Sequence, residues 1–130
     1  GRPRFSRPMI ILVVEDEERV RHMSVDSLRE LGYIIVQASD GEQALEMLTI
    51  QPRIDMLFTD IVMPGINGRV LADRARESHP GLKILYTTGY TRNAIVHNGM
   101  LDPGVSFLAK PFTLDQLAVK VRQVLDAVEN

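Results

Sequence analysis

Short aliphatic runs alternate along this chain with segments of helical periodicity. The first run, ILVV at residues 11–14, is followed by an amphipathic stretch that stops at Gly32, and four further aliphatic runs follow before residue 110. Alternation of this kind is typical of βαβ units, in which parallel strands are joined by helices that cover the sheet. The sequence therefore predicts an α/β domain with a five-stranded parallel sheet.

The boundaries of the predicted elements follow from the aliphatic runs and from helix-capping signals. The five strands are predicted at residues 9–14, 33–37, 54–59, 82–87 and 105–109. Capping-box spacing predicts that the second helix opens at Ser39 with Glu42, and that the last helix opens at Thr113 with Gln116. The apolar positions of the first helix are Val20, Ser24, Leu28 and Leu31, and those of the last helix are Leu114, Leu117, Val121, Leu125 and Val128. Residues 91–104 have room for one short helix in a loop-rich segment.

Length and composition exclude several classes of protein. A chain of 130 residues with 45% hydrophobic content makes one globular domain. The net charge of −2, without a long run of Lys or Arg, gives no electrostatic signature for nucleic-acid binding, and no apolar run is long enough to cross a bilayer. The absence of cysteine excludes disulfides and thiolate chemistry and fits a reducing compartment, so we expect a cytoplasmic protein.

The first eight residues, GRPRFSRP, have no apolar periodicity and contain three Arg and two Pro. They are predicted to be a linker or a cloning remnant, and residues 9–130 are predicted to be the folded domain.

Polar residues follow four of the predicted strands, at the point where each strand ends. Parallel sheets bind ligands at the carboxyl ends of their strands, so these residues are expected to share one rim. They are Glu15 and Asp16, Asp60, Thr87 and Thr88, and Lys110. Glu17 and Glu18 lie one step further along the chain and are expected to be ordinary charges of the first helical turn.

Carboxylates gathered at one rim repel each other and raise one another's pKa unless a cation relieves them. Oxygen ligands suit Mg²⁺, which keeps several waters and leaves an open site that also accepts a phosphoryl oxygen. Phosphoryl transfer to a carboxylate requires a nucleophile, a metal and positioned hydrogen-bond donors. The predicted rim supplies residues for each of these roles.

Four segments of the chain resemble the receiver domain of the two-component response-regulator family. They are VVEDE with the acidic pair, FTDIVMPGING around Asp60, YTTGY with Thr88, and FLAKPF with Lys110. The resemblance extends from Met9 to the end of the chain, and GYTRNAIVHNGMLDPG is similar to the carboxyl-terminal receivers of hybrid sensor histidine kinases. It implies a doubly wound sheet of the flavodoxin-like order 2-1-3-4-5, with helices on both faces.

The same resemblance implies a role for each site residue. Asp60 would accept a phosphoryl group from a histidine kinase or a histidine phosphotransfer protein. Asp16, Asp60 and the backbone carbonyl of Val62 would bind Mg²⁺, and Glu15 would act through water. The remaining implied roles are a hydrogen bond from Thr88 to the phosphoryl group, an ion pair from Lys110 to it, a switching rotamer of Phe107, and a cis peptide bond before Pro111.

At the level of the whole protein, the resemblance implies a signalling phosphoacceptor in a phosphorelay and not an enzyme, apart from self-catalysed phosphorylation and dephosphorylation. The parent chain would be a hybrid histidine kinase or a stand-alone receiver. A partner or a second copy of the chain would bind the surface of the predicted fourth helix, the fifth strand and the last helix, with no direct contact to nucleic acid or membrane, and the oligomeric state stays open.

Two alternatives remain open at this point. One is a receiver fold that serves as an interaction module without phosphorylation. The other, less favoured, is an aspartyl-phosphate phosphatase, because such enzymes carry a second Asp two residues after the nucleophile, where this chain has Val62. Glu15 in place of Asp, and apolar or aromatic residues at Val62 and Tyr90, also depart from the commonest receiver pattern and leave the lifetime of the phosphorylated form open.

Overall fold

The structure is a computed structural model that describes residues 8–89 and 106–127. Three features singled out from the sequence lie outside the described residues: Tyr90, Val128 and the short helix predicted within residues 91–104. The five strands form one parallel sheet in the order 2-1-3-4-5, numbered along the chain, which confirms the predicted order. Within the described part of the chain, no helix is both long and apolar enough to cross a membrane.

The described strands and helices follow one another in the predicted order. The strands are β1 (Ile10–Val14), β2 (Ile34–Ala38), β3 (Met56–Asp60), β4 (Lys83–Thr88) and β5 (Phe107–Ala109). The described helices are α1 (Glu18–Glu30), α2 (Gly41–Ile50), α3 (Gly68–Ser78) and α4 (Leu114–Asp126).

Two apolar layers cover the two faces of the sheet. Successive side chains of a strand point to opposite faces, so Leu12 and Val14 of β1 pack with α2 and α3, while Ile11 and Val13 pack with α1 and α4. All four of these residues are at most 1% exposed. The uninterrupted apolar run of β1 is therefore explained by a strand that is buried on both faces.

Three strands end one residue later than predicted, and this shift affects the site. The structure places Ala38, Asp60 and Thr88 inside their strands, as the last residue of each. A polar residue after an aliphatic run suggests the start of a loop. In the structure, parallel pairing continues through Asp60, which is paired with Thr87. The side chains of Asp60 and Thr88 are therefore held by the sheet itself.

The helix ends show one confirmed prediction and one error. Thr113 and Gln116 form the predicted capping box of α4. The cap of α2 is Asp40 and not Ser39: the Asp40 carboxylate accepts from the backbone N–H of Gln43, and the Gln43 side chain accepts from that of Ser39. The sequence satisfies the capping spacing in both registers, so spacing alone could not choose between them.

The buried faces of the first and last helices also differ in part from the predicted ones. In α4, Leu117, Val121 and Val124 are buried, whereas Leu114 is 42% exposed. In α1, Val25 is buried, and Leu31, one residue after the helix, is exposed. In both helices, the exposed member of the predicted apolar face is therefore at an end of the helix.

Candidate functional site

An open cleft of about 510 Å³ lies at the carboxyl ends of β1, β3 and β5. Five residues that the sequence singles out meet there, from three segments that are far apart in the chain. The lining residues are Glu15, Asp16, Glu17, Asp60, Val62, Gly89 and Lys110.

Three carboxylates of the cleft approach one another closely. One oxygen from each of Glu15, Asp16 and Asp60 lies within 4.8 Å of the others. Glu15 and Asp60 are buried, with 4% and 6% of their surface exposed, whereas Asp16 is exposed to solvent. This all-oxygen donor set, open on one side, fits a hard divalent cation such as Mg²⁺.

The ammonium group of Lys110 bridges the two buried carboxylates. Its Nζ donates to Oε1 of Glu15 at 2.8 Å and to Oδ2 of Asp60 at 3.0 Å. The backbone N–H of Lys110 donates to the carbonyl of Thr88 at 2.8 Å, which fixes the end of β5 against β4. The peptide bond between Lys110 and Pro111 is cis, the isomer that the sequence predicted.

Burial, hydrogen bonds and neighbouring charges shift two pKa values at the site. Burial raises the pKa of Glu15 above its usual value, hydrogen bonds from Lys110 and from the backbone of Glu17 partly offset this rise, and the charge of Asp60 adds to it. Burial alone would lower the pKa of Lys110, but its bonds to Glu15 and Asp60 raise that pKa overall. Mutual repulsion, the cause expected from the sequence, thus contributes less to Glu15 than burial does.

Tight backbone packing fixes Asp60 at the end of the central strand β3. The backbone N–H of Ile61 donates to the carbonyl of Thr87 at 3.1 Å, and that of Gly68 donates to the carbonyl of Ile61 at 2.7 Å. Gly68, the first residue of α3, lies so close to the Asp60 carbonyl oxygen that a Cβ there would overlap it. The start of α3 and the phosphoacceptor candidate are therefore packed as one unit.

The two predicted switch residues lie on neighbouring strands. Thr88 is 2% exposed and is paired with Ala109, while Phe107 is half-buried and is paired with Tyr86. Residues two apart on a strand share a face, so Thr88 and Phe107 lie on the same face of the sheet. Phe107 packs against the apolar layer on that face.

Two residues that contribute to the site, Glu17 and Arg21, were not given a role there from the sequence. Glu17 lines the cleft because it caps α1 and does not lie inside the helix. Arg21 donates from Nη1 to the Glu15 carbonyl at 2.8 Å and from Nε to Oε1 of Gln37 at 3.2 Å. The sequence pattern gave no reason to choose Arg21 over Arg19, because only the packing of α1 against the sheet determines which arginine reaches Glu15 and Gln37.

Comparisons with known proteins show the family to which the chain is related. The family model described as the response regulator receiver domain matches residues 11–122. Over 117 residues the chain is 37% identical to the sensor kinase CckA of Brucella abortus, covering 89% of this chain but only 12% of that protein. It is 36% identical to the response regulator receiver protein CpdR of the same organism, covering 90% of this chain and 97% of that protein.

Solved structures give the same result. The receiver domain of the hybrid histidine kinase CckA superposes with a TM-score of 0.76 at 36% identity, covering 90% of this chain and 99% of that one. A response regulator receiver protein from Sinorhizobium medicae WSM419 superposes with a TM-score of 0.82 at 33% identity, covering 93% and 97% of the two chains. Because the family model matches residues 11–122, which is most of this chain, the chain belongs to the response regulator receiver domains of two-component signalling.

Proposed function

We propose that this receiver domain accepts a phosphoryl group on Asp60 from a histidine kinase or a histidine phosphotransfer protein, in a reaction that depends on Mg²⁺. The observation that carries the proposal is the arrangement of Lys110 between the buried carboxylates of Glu15 and Asp60, with Asp16 close enough to share one cation with them.

The residues that would hold Mg²⁺ are Asp16, Asp60 and the backbone carbonyl of Val62, with Glu15 acting through a bound water. When bound, the ion would neutralise negative charge on the transferring phosphoryl group. Asp16 is the exposed member of the carboxylate group, so it lies where an ion would enter from solvent.

In the transfer step, a carboxylate oxygen of Asp60 attacks the phosphorus of the donor phosphohistidine. A P–O bond forms as the P–N bond breaks, and the imidazole leaves with the electron pair of that bond. Lys110 already contacts Asp60, and its ammonium group would pair with an oxygen of the new phosphoryl group. Thr88, at the end of the neighbouring strand, would donate its hydroxyl to another oxygen.

The protein would act as a signalling phosphoacceptor that switches conformation, with only self-catalysed phosphorylation and dephosphorylation. We propose a cytoplasmic location and a parent chain that is a hybrid histidine kinase or a stand-alone receiver. On α4, Leu114 and Val119 are 42% and 56% exposed, and they offer apolar surface to a second copy or another partner.

Incubation with acetyl phosphate and Mg²⁺, followed by intact mass measurement, tests the proposed function. We expect the mass of one phosphoryl group to be added with Mg²⁺, and little addition when EDTA replaces the ion. A folded protein that takes up no phosphoryl group under these conditions would instead favour an interaction module that works without phosphorylation.

A further inference from the structure

The guanidinium group of Arg21 connects three elements at the acidic end of the cleft. Arg21 lies in α1, and its Nη1 donates at 2.8 Å to the carbonyl oxygen of Glu15, the residue that follows β1. Its Nε donates at 3.2 Å to Oε1 of Gln37 in the edge strand β2. One half-buried side chain thus fastens the end of β1 to both a helix and a strand.

The carbonyl that Arg21 contacts belongs to the peptide group joining Glu15 to Asp16. A peptide group is planar, so the direction of this carbonyl sets the direction in which the chain continues to Asp16. The preceding peptide is held as well, because the backbone N–H of Glu15 donates to the carbonyl of Ala38 at 3.2 Å. The backbone is therefore fixed on both sides of Glu15.

Asp16 depends on this backbone more than the other two carboxylates do. Glu15 and Asp60 are held by burial and by Lys110, whereas the Asp16 side chain is exposed. An exposed side chain that must meet two buried ones within 4.8 Å is positioned mainly by the backbone from which it starts.

We infer that Arg21 is a positioning residue for the cation site, which it serves by fixing the peptide between Glu15 and Asp16, with Gln37 holding the guanidinium group in place. The inference rests on the proposed function for the identity of the ion. Both bonds from Arg21 end on neutral oxygens, so they orient the backbone without pairing with a carboxylate, like the outer-shell partners that orient metal ligands.

The test compares Arg21→Met with Arg29→Met, which removes an exposed arginine from the last turn of the same helix. Mg²⁺ is titrated into each protein and its binding is followed through the amide resonances of residues 15–17. Loss of an outer-shell partner typically lowers metal affinity by about 10-fold or more, so we expect that loss in Arg21→Met and unchanged affinity in Arg29→Met. Gln37→Leu keeps the charge of Arg21 and should weaken binding by a smaller factor.

A second measurement needs no metal. Without Mg²⁺, we expect the ¹⁵N order parameter of the Asp16 amide to fall in Arg21→Met and to stay at the wild-type value in Arg29→Met. Wild-type affinity together with an unchanged order parameter in Arg21→Met would overturn the role of Arg21. If the wild-type protein itself bound no Mg²⁺, the proposed function would fail, and the order parameter would still decide whether Arg21 fixes Asp16. If Arg21→Met did not fold, Gln37→Leu would carry both measurements.

Discussion

Glu15 shows how one residue can be both buried and charged at this site. Its side chain accepts from Lys110 at 2.8 Å and from the backbone N–H of Glu17 at 3.1 Å, and these bonds oppose the effect of burial on its pKa. The acidic residues at positions 15–18 therefore have different environments. Glu15 is buried, Asp16 is exposed to solvent, and Glu18 is the first residue of α1.

Replacing Lys110 by Met should change the dependence of stability on pH. A carboxyl group whose pKa is raised by folding keeps its proton to higher pH in the folded state, so its contribution to stability is fully present below the ordinary pKa of 4.5 and is lost as the pH rises through the folded pKa. Without Lys110, the pKa of Glu15 should rise further, and the decline should extend to higher pH.

Urea unfolding from pH 4 to pH 8 in EDTA would measure this effect, with Lys120→Met on α4 as the control. We expect the Lys120→Met curve to parallel the wild-type curve. If Lys110→Met gave the same pH dependence as the wild type, Lys110 would not be the group that lets Glu15 ionise.

Asp16 and Glu17 are neighbours in sequence that occupy different positions relative to the carboxylate group. Both residues line the cleft, but of the two only Asp16 has a carboxylate oxygen within 4.8 Å of those of Glu15 and Asp60. We therefore predict that Asp16→Asn weakens Mg²⁺ binding far more than Glu17→Gln does, as measured by titration of the metal-free protein. Equal losses of affinity in the two variants would show that the cation is held by general negative charge and not by a defined ligand set.

At the scale of elements, the order and type of the described strands and helices were predictable because the aliphatic runs of β1, β3 and β4 are buried on both faces and the helices have a periodic apolar face. Ends were less predictable. Asp60 and Thr88 are polar and looked like loop residues, yet pairing with the neighbouring strand includes them. Ser39 and Asp40 both satisfy the capping rule, and local sequence does not choose between them. Arg21 was missed because its partners, Glu15 and Gln37, become neighbours only when β1, β2 and α1 pack together.

The contact between α3 and β3 depends on Gly68, and Gly68→Ala should disturb it. A Cβ at this position would overlap the Asp60 carbonyl, so the helix start or the strand end must move. Overpacking of this kind typically costs about 1–3 kcal/mol in free energy of unfolding. Because the displaced group is the backbone of Asp60, we also expect slower labelling by acetyl phosphate.

Arg74→Ala, an exposed change in the same helix, is the control and should affect neither stability nor labelling strongly. Chemical unfolding and the initial labelling rate measure the two effects. Wild-type values of both in Gly68→Ala would mean that the helix and the phosphoacceptor candidate are not packed as one unit.

At the scale of the whole molecule, the site lies at one end of the sheet, and the proposed partner surface lies along β5 and α4. Lys110 joins the two regions directly, because it follows β5 and reaches Asp60 and Glu15. A signal from Asp60 to the surface therefore has a short route through β4 and β5. A two-state element that contacts the phosphoryl group in only one state would complete this route.

We predict that Thr88 is that element. In Thr88→Ala, Asp60 should still be phosphorylated, but most of the change in amide resonances around Phe107 should be lost. The expected reason is that the Thr88 hydroxyl moves toward the phosphoryl group and leaves space into which the Phe107 ring rotates. Heteronuclear NMR before and after phosphorylation measures this. A full wild-type pattern of changes in Thr88→Ala would move the coupling role elsewhere, with Tyr90 the next residue to test.

The identity of the phosphorylated residue is the most direct test of the account. Wild type, Asp60→Asn and Asp73→Asn would each be incubated with acetyl phosphate and Mg²⁺, and intact mass would be followed by peptide mapping under conditions that preserve acyl phosphates. Asp73 is an exposed residue of α3, so its variant controls for loss of one carboxylate near the acceptor in sequence. We predict one phosphoryl group in wild type and in Asp73→Asn, on the peptide that contains residue 60, and none in Asp60→Asn. Labelling of Asp60→Asn at the wild-type rate would contradict the assignment of Asp60 as the phosphoacceptor.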